Sequence, residues 1–158
     1  MMSLSAMWRM CSAGVVALAL MMPLAAQDRL AKELARYQQE TDPVHKARAL
    51  AELSGDQIAL ARKQVKGGEE VAALHTLEQY RDEVQQTAAE LKATGIDAEK
   101  KPAGFKQLQI SLREGLRRID DLILTIPVDK RPFFRAVRSD LAKTQNDLID
   151  ALFPRRPH

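Results

Sequence analysis

The sequence predicts an all-α fold: an antiparallel bundle of four principal helices, joined by a short N-terminal helix, after a cleavable signal peptide. Apolar residues recur at helical spacing through five segments, and Gly and Pro punctuate the gaps between them. No stretch alternates apolar and polar residues as a half-buried strand does. The strongest of the five is Gly104 to Ile126, GFKQLQISLREGLRRIDDLILTI, where Phe105, Leu112, Ile119 and Ile126 repeat every seven residues. Leu108, Leu116, Leu122 and Ile123 widen this into a stripe, while Lys106, Arg113, Glu114, Arg117, Asp120 and Asp121 cover the opposite face. Gly115 falls within the stripe. Glycine inside a helix costs about 1 kcal/mol relative to alanine, so a neighbouring backbone is expected to approach there. A hairpin with the last helix would set Leu141 or Ala142 against it.

The other segments follow in chain order. A short helix is expected from about Asp28 to Glu40, with Leu30, Leu34 and Tyr37 on one side. Alone it would be marginal in water. Asp42-Pro43 reads as a restart, since aspartate caps helices and proline fits the first helical position. The next helix runs from Pro43 to about Lys66, with apolar residues on two sides and a kink or brief break at Ser54-Gly55-Asp56. Gly67-Gly68 ends it. Glu69 to about Thr94 forms the third, with Leu74, Leu77, Tyr80, Val84, Ala88 and Leu91 as its stripe and Gly95 as a left-handed cap. Asp97 to Ala103 is the clearest loop. The last helix starts near Asp129, carries Phe134, Val137, Leu141, Leu148 and Leu152, and stops at Pro154.

The chain divides into a signal peptide at residues 1–26, a helical domain at 27–153 and a basic tail at 154–158. The leading segment has Arg9, then CSAGVVALALMMPLAA, then polar Gln27. As a permanent anchor its apolar run of about 16 residues would reach about 24 Å, short of the ~30 Å bilayer core. Cleavage near Ala26 leaves a periplasmic or secreted protein. Cys11, the single cysteine, lies in that leader, so the exported form has no thiol for a disulfide, a thiolate metal site or a nucleophile. Residues 27–99 hold 10 basic and 14 acidic side chains, residues 100–158 hold 13 and 7. That balance is not the basic load of a nucleic-acid binder.

Residues Gln57 to Tyr80 resemble a tetratricopeptide-type helical hairpin through Leu60, Ala61, Gly68, Ala73 and Leu77, but no second copy occurs near the 34-residue period. The phrases TDPVHKARAL, KPAGFKQLQISLRE and LFPRRP are similar to those of exported bacterial helical proteins. This resemblance implies an envelope or secreted setting and transfers no activity.

Catalytic, cofactor and metal sites are not expected. His75 has Glu78 one turn on, with Glu70 and Glu83 further off, but a di-metal bundle needs two Glu-x-x-His pairs and the order here is reversed. No GxSxG elbow, phosphate loop or HExxH occurs. The remaining lead is basic: Arg113, Arg117 and Arg118 on the fourth helix, with Lys130, Arg131, Arg135 and Arg138 at the start of the fifth. Arg155 and Arg156 add to it. These form a candidate site for an anionic envelope component such as a lipid headgroup, a polymer or an acidic protein. The preferred reading is a non-catalytic interaction or structural module of the bacterial envelope that contacts another protein through a helix face. Any membrane contact would be peripheral. A small-ligand or metal-binding bundle is the third possibility.

Overall fold

The structure, a computed structural model, describes residues 24–155. Most of the expected leader and the last three residues lie outside that range. Five helices account for the regular structure: α1 Leu24–Gln39, α2 Pro43–Lys66, α3 Glu70–Ala93, α4 Ala103–Thr125 and α5 Arg131–Leu152. Among the described residues there is no strand.

Local signals set several of these ends. The Asp42 carboxylate accepts the backbone N–H of His45 at 2.8 Å, so it satisfies one of the free donors at the start of α2. Gly68 and Gly95 take φ values of 76° and 68°, the left-handed conformation that lets the chain turn after α2 and α3. The expected break at Ser54-Gly55-Asp56 is absent, and α2 is one uninterrupted helix. Ser54 Oγ satisfies itself on the Ala51 carbonyl at 3.0 Å and on Ser111 Oγ at 2.9 Å. Packing on neighbouring helices thus overrides the local turn propensity. Toward the N-terminus, α1 extends back past the expected Asp28 and includes Ala26.

The stripe on α4 is buried along its whole length. Phe105, Leu108, Leu112, Leu116, Ile119, Leu122, Ile123 and Ile126 are each at most 5% exposed. They meet Leu50, Leu53 and Ile58 from α2, Leu77, Tyr80, Val84 and Leu91 from α3, and Phe134, Val137, Leu141 and Leu148 from α5 in one core.

Helix order around that core departs from an all-antiparallel bundle. α2 packs on α3 and α4, and α5 packs on the same two helices, so the ring reads α2–α3–α5–α4. The hairpins α2/α3 and α4/α5 are antiparallel, as their short turns require. The pairs α2/α4 and α3/α5 are parallel. Gly104 meets Val44, Ser54 meets Ser111 and Ile58 meets Gly115, in ascending order on both chains. Glu70–Lys130, Arg81–Asp140 and Lys92–Asp147 do the same for α3 and α5. The cause is the connection 94–102. Adjacent axes stand about 8–10 Å apart, which makes a diagonal of about 13 Å, and nine extended residues reach about 30 Å. The chain therefore crosses from α3 to the opposite corner.

Gly115 accordingly does not face Leu141 or Ala142. A Cβ there would stand 2.8 Å from the Tyr80 hydroxyl and 3.2 Å from Ile58 Cδ1, so the missing side chain accommodates a phenol from α3. Close backbone approach occurs instead at Gly104, where a Cβ would lie 3.2 Å from Val44 Cα.

Substituting Gly115→Ala should lower stability by roughly 1–2 kcal/mol, because overpacking outweighs the gain in helix propensity. Tyr80→Phe in the same chain should restore most of that loss by removing the oxygen in the way. Urea denaturation of the two single variants and the double variant measures this coupling, and additive effects would contradict the assigned contact.

Candidate functional site

Three features outside the core stand out: the arginine-rich part of α4 and α5, a polar seam under α1, and an apolar groove at one end.

The seven basic residues do not converge. Arg138 reaches Asp120 with two hydrogen bonds of 2.9 and 3.0 Å, a forked pair across α4 and α5. Lys130 pairs with Glu70 at 3.2 Å. Arg131 turns back on α4, its Nε donating to the Ile126 carbonyl at 2.8 Å and its Nη2 to the Leu124 carbonyl at 3.1 Å. That guanidinium satisfies the end of a helix. Arg117 and Arg118 both lean on Glu114, and Arg118 lies toward α2 beside Gly55. Arg113 and Arg135 have no ion-pair partner among the described residues. Arg113 is near the middle of α4 and Arg135 is the fifth residue of α5, which runs the other way, so the two stand at different levels of the bundle. Sequence adjacency counted these charges together; the helical turn and the neighbouring acids separate them.

Beneath α1 lies a network that the sequence reading missed. Glu83 is 9% exposed, and its carboxylate accepts Gln57 Nε2 at 2.6 Å and Gln79 Nε2 at 3.0 Å. Its backbone carbonyl accepts the Thr87 hydroxyl at 2.8 Å and the Tyr37 hydroxyl at 3.2 Å. Gln57 Oε1 is buried without a hydrogen-bond partner. No cation pairs with Glu83 among the described residues. Burial pushes its carboxyl above the ordinary glutamate value, hydrogen bonds from Gln57 and Gln79 oppose the shift, and the Asp82 charge adds to it. Two turns on, Lys46 holds Glu90 at 2.9 Å with its ammonium 5.2 Å from the centre of the Tyr37 ring. Burial raises Glu90, but hydrogen bonds from Lys46 and Gln86 outweigh it and leave the carboxyl below its ordinary value.

This arrangement also bears on His75. Glu83 turns to Gln57 and Glu70 to Lys130, so two of the three carboxylates considered for a metal site with His75 are engaged elsewhere. Among the described residues no three His, Cys, Asp or Glu side chains are grouped to hold a metal ion. No described helix is long and apolar enough to cross a membrane.

The third feature is a groove of about 550 Å³ where the 94–102 connection, α4 and the end of α5 meet. Ile110, Ile149, Leu152 and Phe153 line it with apolar surface, and its charged lining is two cations, Lys106 and Arg113, and one acid, Glu99. Phe153 is 73% exposed and Ile110 42%. Of the apolar lining residues, Leu152 belongs to the predicted stripe of the last helix, whereas Ile110 belongs to no predicted stripe. Their joining into one groove depends on how the long connection folds back over α4, and on α5 unwinding at Phe153. Comparison with family models, with curated proteins and with solved structures returned no match.

Between the ordinary glutamate value and the raised value of Glu83, the folded chain holds a proton that the unfolded chain has released. The contribution of this group to stability is therefore full below the ordinary glutamate value and is lost as pH rises through the raised one. Glu83→Gln should remove that dependence and also offer a donor to Gln57 Oε1. Denaturation measured across pH 4–8 should show the variant gaining on the wild-type chain as pH rises. Parallel curves for the two proteins would contradict the burial of an ionisable group here.

Proposed function

We propose that this chain is an exported, non-catalytic interaction module of the bacterial envelope, and that the groove between the 94–102 connection, α4 and α5 receives a segment of another protein. What supports this reading above all is the combination at that groove: exposed Phe153 and Ile110 beside half-buried Ile149, with two cations, Lys106 and Arg113, against one acid, Glu99. Apolar anchors set in a concave surface are where binding energy concentrates, and rim charges select the partner and speed encounter. The segment that fits carries an apolar or aromatic side chain flanked by acidic residues. Arg113 belongs to the basic set expected to hold an anionic component, and here its role is to orient an acidic partner.

Export rests on the leader composition of residues 1–26, and the bundle of four principal helices plus α1 is the unit we take to be delivered. Electrostatic retention on anionic envelope material is the weaker reading. It draws on Arg113 and Arg135, since the other five basic residues of the set already have partners within the fold.

A photoreactive side chain at Ile110 should give a discrete protein adduct in exporting cells, and Arg113→Glu with Phe153→Ser should abolish it. The same group at exposed His75 on α3 should give none. An Ile110 pattern identical to that from His75 would overturn the assignment of the groove.

A further inference from the structure

At the far end of the molecule the exposed apolar residues have a different character. Val71, Leu124, Val128 and Phe133 are 79%, 71%, 73% and 61% exposed, apolar side chains turned outward. Val71 is the second residue of α3, Leu124 the penultimate residue of α4, Val128 lies in the α4–α5 turn and Phe133 is the third residue of α5. Because α2/α4 and α3/α5 run parallel, both tight turns fall at this one end. Phe133 lies one and two heptads before Asp140 and Asp147, which pair with Arg81 and Lys92 of α3, so it stands over the first turn of α3 near Val71. α1 runs antiparallel to α2, as the pairs Arg29–Asp56 and Arg36–Glu52 show, so its first residue, Leu24 (77% exposed), reaches the same end. Ile110 and Phe153, the other exposed large apolar residues among those described, belong to the groove at the opposite end.

Cations sit among these tips. Six basic residues, Arg62, Lys63, Lys66, Lys130, Arg131 and Arg135, lie at this end with five acids, Asp28, Glu69, Glu70, Asp121 and Asp129. Glu70 is already neutralised by Lys130, whereas Arg62, Lys66 and Arg135 have no ion-pair partner among the described residues. We propose that this end of the bundle docks on the surface of an anionic phospholipid bilayer, with Val71, Leu124, Val128 and Phe133 entering the interface and Arg62, Lys66 and Arg135 meeting phosphates. Separate apolar tips carried on turns and interleaved with cations match an interface that is apolar below and anionic above. A protein-binding stripe would instead run along one helix. The direction of the chain agrees: the apolar run VVALALMMPL of residues 15–24 leads directly into α1 at this end. The docking residues persist whether that run is kept or cut near Ala26. This surface is distinct from the groove, and the proposal stands or falls without it.

The test uses the full chain with Trp8→Phe, which removes its single tryptophan. Phe133→Trp or Phe153→Trp is then introduced, and the protein is mixed with vesicles of phosphatidylglycerol and phosphatidylethanolamine bearing brominated acyl chains. The Phe133→Trp chain should shift its emission to the blue and lose intensity, while the Phe153→Trp chain keeps both. Leu124→Ser with Val128→Ser should abolish the effect in the Phe133→Trp chain without loss of helical circular dichroism. Equal quenching at the two positions would mean that the leader alone brings the protein to lipid and would overturn the proposal. So would no quenching in a folded Phe133→Trp chain, or a blue shift that needs no lipid and follows protein concentration, which would indicate a second copy as the occupant. Undiminished quenching on phosphatidylcholine vesicles would overturn the role given to the three cations.

Discussion

The close parallel contact of α2 and α4 is the constraint on which the rest of the arrangement depends. It is possible because two positions on α4 lack a side chain. Gly104 lets the start of α2 come within van der Waals reach of backbone, and Gly115 leaves the space that the Tyr80 hydroxyl and Ile58 occupy. Tyr80, 1% exposed, belongs to α3, the helix diagonal to α4, so its ring spans the core and ties three helices at one level. Burial drives its hydroxyl far above the ordinary tyrosine value, with the Glu83 charge adding to the shift. A neutral phenol at that point keeps the core free of charge. Once α2 and α4 run side by side in the same direction, the two hairpins must stack in parallel. The molecule then has one end made of tight turns and another made of the long connection and the end of α5.

This polarity explains what the sequence disclosed and what it withheld. The buried face of α4 was legible because it is a property of one helix: spacing alone aligns Phe105, Leu112 and Ile119. The same holds for the Asp42 cap and for Gly68 and Gly95, whose conformations are set by their nearest neighbours. Partner choice is not local. Nothing near Gly115 distinguishes Tyr80 from Leu141 as its neighbour, since the choice depends on whether nine residues turn back or cross over. Ser54-Gly55-Asp56 misled for a related reason, because a turn signal weighs little against three neighbouring helices. The basic residues were visible as a group and were dispersed by geometry. The groove was invisible because Ile110 and Phe153 meet only through the path of the 94–102 connection.

The polar seam under α1 follows from a different economy. A helix of 16 residues with a single fully buried side chain, Tyr37, has little apolar area with which to hold itself in place. Hydrogen bonds from Tyr37 to α3, and the Lys46–Glu90 pair against its ring, fix where α1 lies along the α2–α3 hairpin. Apolar contact alone would leave that register loose, because Leu30 and Leu34 have equivalent surfaces one turn either way. The cost is an uncompensated carboxylate at Glu83 and an unsatisfied oxygen at Gln57. Stability has been given up for a defined position of the first helix, and that position decides at which end of the bundle the preceding chain arrives.

The two ends thereby acquire separate tasks. Helices of 22 to 24 residues set them about 35 Å apart, several Debye lengths at physiological salt. Charge on a bilayer beneath the turns is therefore screened from Lys106 and Arg113 at the groove. Any influence of one end on the other has to travel through the helices, and the α2–α4 contact resists sliding because Gly104 and Gly115 each admit only one register. Docked as proposed, the bundle would hold the groove at a fixed height above the membrane. Partners anchored in the same membrane would then meet it within a thin layer, where even a modest intrinsic affinity gives high occupancy. A groove this small needs that advantage, because a few exposed apolar side chains and two cations are less than a freely diffusing pair requires for a lasting complex.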